Sequence, residues 1–346
     1  MNRRLANVRH VALDMDGTIY SGGTLFDSTR PFLALLDELG IGHTFLTNNS
    51  SRSAKDYLAH LRRMGIPAAA DQLYTSTQAT IEYLREQRGS VKRLFVLGTA
   101  SMRKELEAEG FVMTADNAQD VPDAVLVGFD TELTFSRLCR TAYWISQGKP
   151  FIATHPDRIC PTDQPTVLVD CGAVCAALER AAGRGPDVVL GKPDPCMLRG
   201  ILHRHGLAPE ELAMVGDRLY TDMAMARKAG ALGVLVLTGE TTAEAAARHT
   251  PAPELVVSGL AELGERMREA RQRTAPPSPG AAPKDQPAER GKSETRSPKS
   301  ETNSKELSGN YRNLRQTSVL SIWDWSIGAC FGLRISAFGF PPPLCA

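Results

Sequence analysis

Apolar and polar positions along this chain fall into alternating blocks, and the alternation sets the expected architecture. Residues 8–13 read as a strand, and residues 29–40 place Leu33, Leu36 and Leu39 on one face of a helix. A second strand is expected at 43–46. A second helix is expected at 51–64, marked by Leu58, Leu61 and Met64 and closed by Gly65 with Pro67 beyond. Strands that alternate with helices predict a parallel sheet covered on both faces. From about Ser76 a second series begins, with strands at 94–97, 124–127 and 151–153 and a long helix over 133–147. The first pattern is expected to resume at 188–190, 212–215 and 233–237. The prediction is therefore a Rossmann-like α/β core, residues 1–75 and 188–271, interrupted by an inserted α/β domain at 76–187. An insertion of roughly 110 residues is large enough to be a domain in its own right. Its natural place is over the strand ends, as a cap that excludes water.

Beyond residue 271 the pattern stops. Residues 275–308 are rich in Pro, Ser, Lys and Glu and nearly lack bulky apolar side chains, so 272–346 is expected to be a disordered, low-complexity tail. Ten Lys or Arg against five Asp or Glu over 271–316 make it mildly basic, too sparse to predict nucleic acid or membrane as partner. Residues 318–340 carry two tryptophans and three phenylalanines, an apolar segment that should find something to bury against. Asp324 and Arg334 argue against a membrane span there.

Polar groups sit where the apolar runs end. Residues 11–18 read Val-Ala-Leu-Asp-Met-Asp-Gly-Thr, so Asp14 and Asp16 lie one residue apart at a strand end. Thr47, Asn48 and Asn49 follow the second strand, Lys192 follows the 188–190 run, and Asp217 follows the 212–215 run with Asp222 five residues on. In an open parallel sheet, ligands bind outside the carboxyl ends of the strands, so these segments can converge on one crevice. A single Asp at such a position is commonly a helix cap or turn former. Here all the segments occur in order, each after a predicted strand.

That collection suits a magnesium ion and a phosphate ester. Asp14 is placed to attack phosphorus, and Asp16 to protonate the leaving oxygen and then to deprotonate water. Thr47, Asn48 and Asn49 offer a hydroxyl and amide donors to the phosphoryl oxygens, and Lys192 offers a neutralising cation. Magnesium prefers oxygen ligands and keeps several waters, so Asp14, Asp217 and the Asp16 main-chain carbonyl suffice as candidates. Asp222 is assigned to a metal-bound water or to Lys192.

Net charge is +1, with 42% hydrophobic and 23% charged residues, an ordinary globular composition with no electrostatic case for nucleic acid or an anionic membrane. No apolar run reaches about 18 residues and the first strand begins by Val8, so neither a membrane span nor a leader is expected. The seven cysteines include no CxxC pair. Cys171 and Cys175 sit one helical turn apart without further ligands nearby, which predicts buried thiols and a reducing, cytoplasmic setting.

The motifs resemble the haloacid dehalogenase superfamily of phosphohydrolases in Asp14/Asp16, Thr47, Lys192 and Asp217/Asp222. The run Thr47-Asn-Asn-Ser50 is similar to the branch that holds NagD-type nucleotide phosphatases, 4-nitrophenylphosphatases, phosphoglycolate phosphatases and pyridoxal phosphate phosphatases. So are Asp123-Ala-Val-Leu-Val-Gly-Phe-Asp130 and Phe151-Ile-Ala-Thr-His-Pro-Asp157. The resemblance spans about residues 8–265 and implies a magnesium-dependent phosphatase with an α/β cap, acting on a small phosphorylated metabolite through an aspartyl-phosphate. Phosphoglycolate, pyridoxal phosphate, nucleotides and sugar phosphates all stay open as substrates. Capped relatives often dimerise through the cap, which makes a homodimer the corresponding expectation. His155 stands where the branch usually has Asn, and it is read either as altering substrate preference or as a surface histidine. The Asp170-Cys-Gly-Ala173 turn is a second candidate specificity element. Alternatives are a phosphotransferase or mutase using the same aspartyl-phosphate, and a non-enzymatic receiver-like domain phosphorylated on Asp.

Overall fold

The computed structural model of the protein describes residues 2–160, 162 and 164–274. The basic stretch beyond 274 and the aromatic segment at 318–340 lie outside them. Two parallel sheets organise the described chain.

The first has six strands in the spatial order Leu255–Val257, Leu232–Val236, Leu212–Gly216, His10–Asp14, Gly42–Thr47 and Leu73–Thr75. Its central strands are buried along their whole length because helices cover both faces, which is why they read as unbroken apolar runs. Side chains alternate between the two covered faces. Val11, Leu13, Phe45 and Val215 pack with the helices Thr29–Glu38, Ala54–Arg63 and Leu260–Thr274. Ala12, Leu46 and Met214 pack with Met197, Leu198 and Ile201 of the helix Cys196–His205. Strand order reverses beside His10–Asp14: the chain first runs outward through Gly42–Thr47, then returns to the other side at Leu212–Gly216. Such a switch point opens a crevice at the carboxyl ends. The registers Leu13 with Val215 and Asp14 with Leu46 bring Asp14, Thr47 and Asp217 to its rim.

The second sheet runs Val188–Val189, Phe151–Ala153, Ala124–Val127, Arg93–Leu97 and Val112–Met113. Phe95, Val125 and Phe151 pack with Trp144 and Ile145 on one face and with Cys171 and Leu178 of the helix Cys171–Ala182. Met102, Leu106 and Leu84 cover the other face.

The structure corrects the expected resumption of the first sheet at 188–190. Val188 pairs with Ile152 and Val189 with Ala153, so this run is an edge of the second sheet. Asp187 secures the pairing: its carboxylate accepts from the Phe151 N–H at 2.8 Å. The first sheet is rejoined through the segment Leu190 to Pro195 and the helix Cys196–His205. At the other boundary the last helix continues beyond residue 271 to Thr274, with Met267 and Ala270 buried. Capping explains the helix starts. Ser53 and Asp56 form a reciprocal capping box before Ala54, and Thr134 accepts from the Arg137 N–H before Phe135. No helix among the described residues is long and apolar enough to cross a membrane.

Candidate active site

Asp14, Thr47, Lys192 and Asp217 meet at the mouth of the crevice. The ammonium of Lys192 is hydrogen-bonded to Asp14 and lies 2.8 Å from Asp222. Asp14, Asp217 and Asp222 each bring a carboxylate oxygen to within 4.8 Å of the others, and all three side chains are buried. Gly17 makes this approach possible. Its φ is +80°, and a Cβ there would collide with the Asp217 carboxylate. The loop is pinned by the Thr238 hydroxyl, which donates to Gly17 O at 2.6 Å.

The electrostatics of the cluster are unbalanced. Three buried carboxylates share Lys192 and the field of Arg218. Burial raises the Asp217 carboxyl well above the usual range, and the charges of Asp14 and Asp222 add to this. Asp222 moves in the same direction by burial, against the pull of Lys192. Burial works against the charged form of Lys192, but Asp14 and Asp222 more than restore it and hold the ammonium protonated. Asp217 Oδ2 accepts from the Glu240 N–H at 2.6 Å, while its Oδ1 is buried without a hydrogen-bond partner. An orphaned carboxylate oxygen inside a surplus of negative charge is what a hard dication completes, so the donor set fits magnesium.

Asp16 lines the same cavity, its pKa raised by burial and by the charge of Asp14. Thr47 lines it too, and its hydroxyl accepts from the Asn49 N–H at 3.1 Å. The two asparagine side chains have other employment than the expected donation to phosphate. Both N–H bonds of the Asn48 amide are committed, to Lys192 O at 2.9 Å and Asp157 Oδ2 at 3.1 Å, while its Oδ1 accepts from the Lys192 N–H at 2.7 Å. Asn49 Oδ1 accepts from the Ser51 N–H at 3.0 Å, and its NH2 faces Cys160. Asn48 thus fixes the backbone of the lysine segment. Gly191 has a φ of +69°, and a Cβ there would lie 2.7 Å from both Asn48 Oδ1 and Thr154 O.

His155 is neither a surface residue nor a lining residue of this cavity. Its ring is fully buried, with Nδ1 2.8 Å from the Thr154 hydroxyl and Nε2 2.9 Å from Asp170 Oδ1. Burial alone would lower its pKa, yet Cys171, Asp170 and Asp157 carry it up to about 9. Asp170 does line the cavity, and it also caps the helix Cys171–Ala182. Cys171 and Cys175 are buried free thiols.

Six lining residues escaped the sequence reading, Tyr20, Tyr57, Asp157, Ile159, Cys160 and Arg218; of the two charged ones, Asp157 is held by Asn48, and the Arg218 guanidinium lies 2.9 Å from Glu240 and 3.8 Å from Asp157. Both were within reach of a signal, since Asp157 ends the Phe151–Asp157 segment and Arg218 follows Asp217 directly.

Residues 11–112 match the model of a haloacid dehalogenase-like hydrolase family, and residues 189–263 match a second HAD-like hydrolase model. The chain is 31% identical over 256 residues to the ribonucleotide monophosphatase NagD of Escherichia coli, covering 74% of this chain and 98% of that protein. Among solved structures, it resembles a 4-nitrophenylphosphatase from Thermotoga maritima at 40% identity and a TM-score of 0.72, over 76% of this chain and 98% of that one. It also resembles a glycerol phosphate phosphatase from Mycobacterium tuberculosis in complex with magnesium, at 30% identity and a TM-score of 0.70, over 78% and 80% of the two chains.

Proposed function

Because the chain belongs to the haloacid dehalogenase-like hydrolases, in their NagD-like branch of phosphatases, we propose that it hydrolyses small phosphate monoesters with magnesium through a phosphoryl group carried on Asp14. The observation that carries this reading is the meeting of Asp14 with Lys192, Asp217 and Asp222 at the strand ends.

A carboxylate oxygen of Asp14 attacks phosphorus, and the bond from phosphorus to the ester oxygen breaks. Asp16 gives a proton to that departing oxygen; burial and the charge of Asp14 raise its pKa, the direction a general acid needs. In the second half, Asp16 takes a proton from water, the water oxygen bonds phosphorus, and inorganic phosphate leaves a regenerated Asp14. Lys192 screens the repulsion between Asp14 and the ester, and the Thr47 hydroxyl is placed for a phosphoryl oxygen. Asp14, Asp217 and the Asp16 main-chain carbonyl would hold magnesium, with Asp222 behind them. The ion supplies the positive charge that lets an anion approach an anion.

Size supports a small reacting group. The cavity over Asp14 is about 60 Å3, room for about four waters. The test is phosphate release from a panel of alkyl, aryl, sugar and nucleoside monoesters, with magnesium and with a chelator. Release that requires magnesium and stops on chelation is expected. No release from any ester, or release indifferent to chelation, would overturn the reading.

A further inference from the structure

Residues 48–51 leave the first sheet just after Thr47, and Asn48 and Asn49 still line the cavity over Asp14. Their other side carries the second sheet, three of whose strands run out onto them. Beyond Arg93–Leu97, the Thr99 hydroxyl donates to Ser51 O at 2.8 Å. Beyond Ala124–Val127, the Phe129 N–H donates to Ser50 Oγ at 2.8 Å. Beyond Phe151–Ala153, the Thr154 hydroxyl lies 3.2 Å from the same Ser50 Oγ. Two strand ends therefore meet on one hydroxyl.

That hydroxyl has no water to replace its partners, because Ser50, Phe129 and Thr154 are all buried. A buried peptide N–H that loses its acceptor pays the full cost of desolvation. The approach is close enough that position 128 must be glycine: a Cβ there would lie 2.7 Å from Ser50 Oγ. From Thr154 the hydrogen bonds continue through His155 Nδ1 at 2.8 Å to Asp170 at 2.9 Å from Nε2. Asp170 lines the cavity over Asp14 again. The circuit leaves that cavity beside Asn49 and returns to it on the opposite wall.

Resting on the phosphatase reading above, we propose that Ser50 is a positioning residue of the reaction. It couples the seating of the second sheet to the shape of the phosphoryl-binding segment. It stands three residues from Thr47 and touches neither the ester nor the carboxylate cluster. Its action passes along the backbone: the Asn49 N–H donates to the Thr47 hydroxyl, so a shift at Ser50 turns the group that meets phosphorus. A simple strut would hold the second sheet in place and leave the phosphoryl site indifferent. A coupled seat obeys reciprocity: whatever the Ser50 contact adds to phosphoryl binding, phosphoryl binding adds to the contact.

Two calorimetric titrations test this, one of the magnesium-loaded protein with inorganic phosphate and one of the metal-free protein with magnesium. Ser50→Ala is expected to weaken phosphate binding about tenfold, the scale of one buried hydrogen bond. Magnesium affinity should stay within about twofold of wild type, because Ser50 contacts none of the ion's ligands. Thr154→Val should weaken phosphate by about threefold and Thr154→Ser should restore it; this pair serves if Ser50→Ala folds poorly. Hydrogen exchange followed by NMR reads the reverse direction. The Phe129 amide should exchange about tenfold more slowly once phosphate is bound, and this gain should vanish in Ser50→Ala. The coupling is overturned if Ser50→Ala binds phosphate as wild type does, however low its melting temperature. It is overturned equally if magnesium weakens as much as phosphate, or if Phe129 exchange ignores phosphate. In those cases wild type still binds phosphate and the phosphoryl site stands. Failure of the wild-type protein to bind phosphate would instead overturn the phosphoryl site, and the coupling with it.

Discussion

The two walls of the site hold buried charge in opposite ways. On the first-sheet wall Asp14, Asp217 and Asp222 crowd around one lysine, and one oxygen of Asp217 has no partner. On the second-sheet wall His155, Asp157 and Asp170 also bring ligand-type atoms within 4.8 Å of one another, and although Asp157 Oδ1 too is buried without a hydrogen-bond partner, each acid there has a cation or an amide beside it. Imidazole meets Asp170, Asp157 meets Asn48, and Arg218 lies beside it. Surplus negative charge destabilises its own wall and suits a bound cation; matched charge holds a loop in place. One cluster is poised for chemistry, whereas the other positions the chain that faces it.

The comparison breaks most visibly at Asp14. Asp14→Asn removes the attacking oxygen's charge, and with it the covalent route, so kcat should fall by roughly 10^4-fold or more in a phosphate-release assay. Turnover within tenfold of wild type would mean that the surplus charge of the first wall serves something other than attack on phosphorus. Asp16→Asn should cost less and do so unevenly. Removing a positioned acid typically costs about 10^2 to 10^4-fold. The loss should be largest for alkyl esters and mildest for nitrophenyl phosphate, whose leaving group departs without a proton. Equal slowing across leaving groups would remove Asp16 from the acid role.

These first-wall residues were legible because a parallel strand buried on both faces is an unbroken apolar run, and the residue after it arrives at the site. Asp14, Thr47 and Asp217 follow that rule directly. The second wall was harder to read. Residues 188–189 look like any buried strand, and only pairing with Phe151–Ala153 reveals which sheet they join. Lys192 was found all the same, because it lies just past the strand whichever sheet that strand belongs to. The amide of Asn48 gave no local hint that its partner is a peptide group 144 positions away. His155 reads equally as a substrate contact or as a surface histidine, whereas it is buried and bonded to Asp170, fifteen residues on.

Asp217→Asn sharpens the contrast in stability rather than rate. At pH 9, where the Asp217 carboxyl, raised to about 8, is ionised, it removes one charge from the crowded wall, so the metal-free protein should melt a few degrees higher than wild type, while the rise in melting temperature on adding magnesium should shrink. Differential scanning fluorimetry with and without the ion reads both. A metal-free melting temperature lower than wild type would show that Asp217 is compensated after all.

The smallest effect belongs to the matched wall and runs the other way. His155 has its pKa raised from 6.5 to about 9, which makes the folded state bind a proton that the unfolded state has released between those values. Its stabilisation is therefore complete below about pH 6.5 and disappears as pH rises through about 9. His155→Asn keeps a polar side chain but no titrating charge opposite Cys171 and Asp170. At pH 6 the variant should melt roughly 5 °C below wild type, because breaking a buried pair costs more than a surface one. By pH 10 the two melting temperatures should converge. Parallel curves across that range would assign the loss to packing rather than to the ion pair, and the second wall would then be held by shape instead of by matched charge.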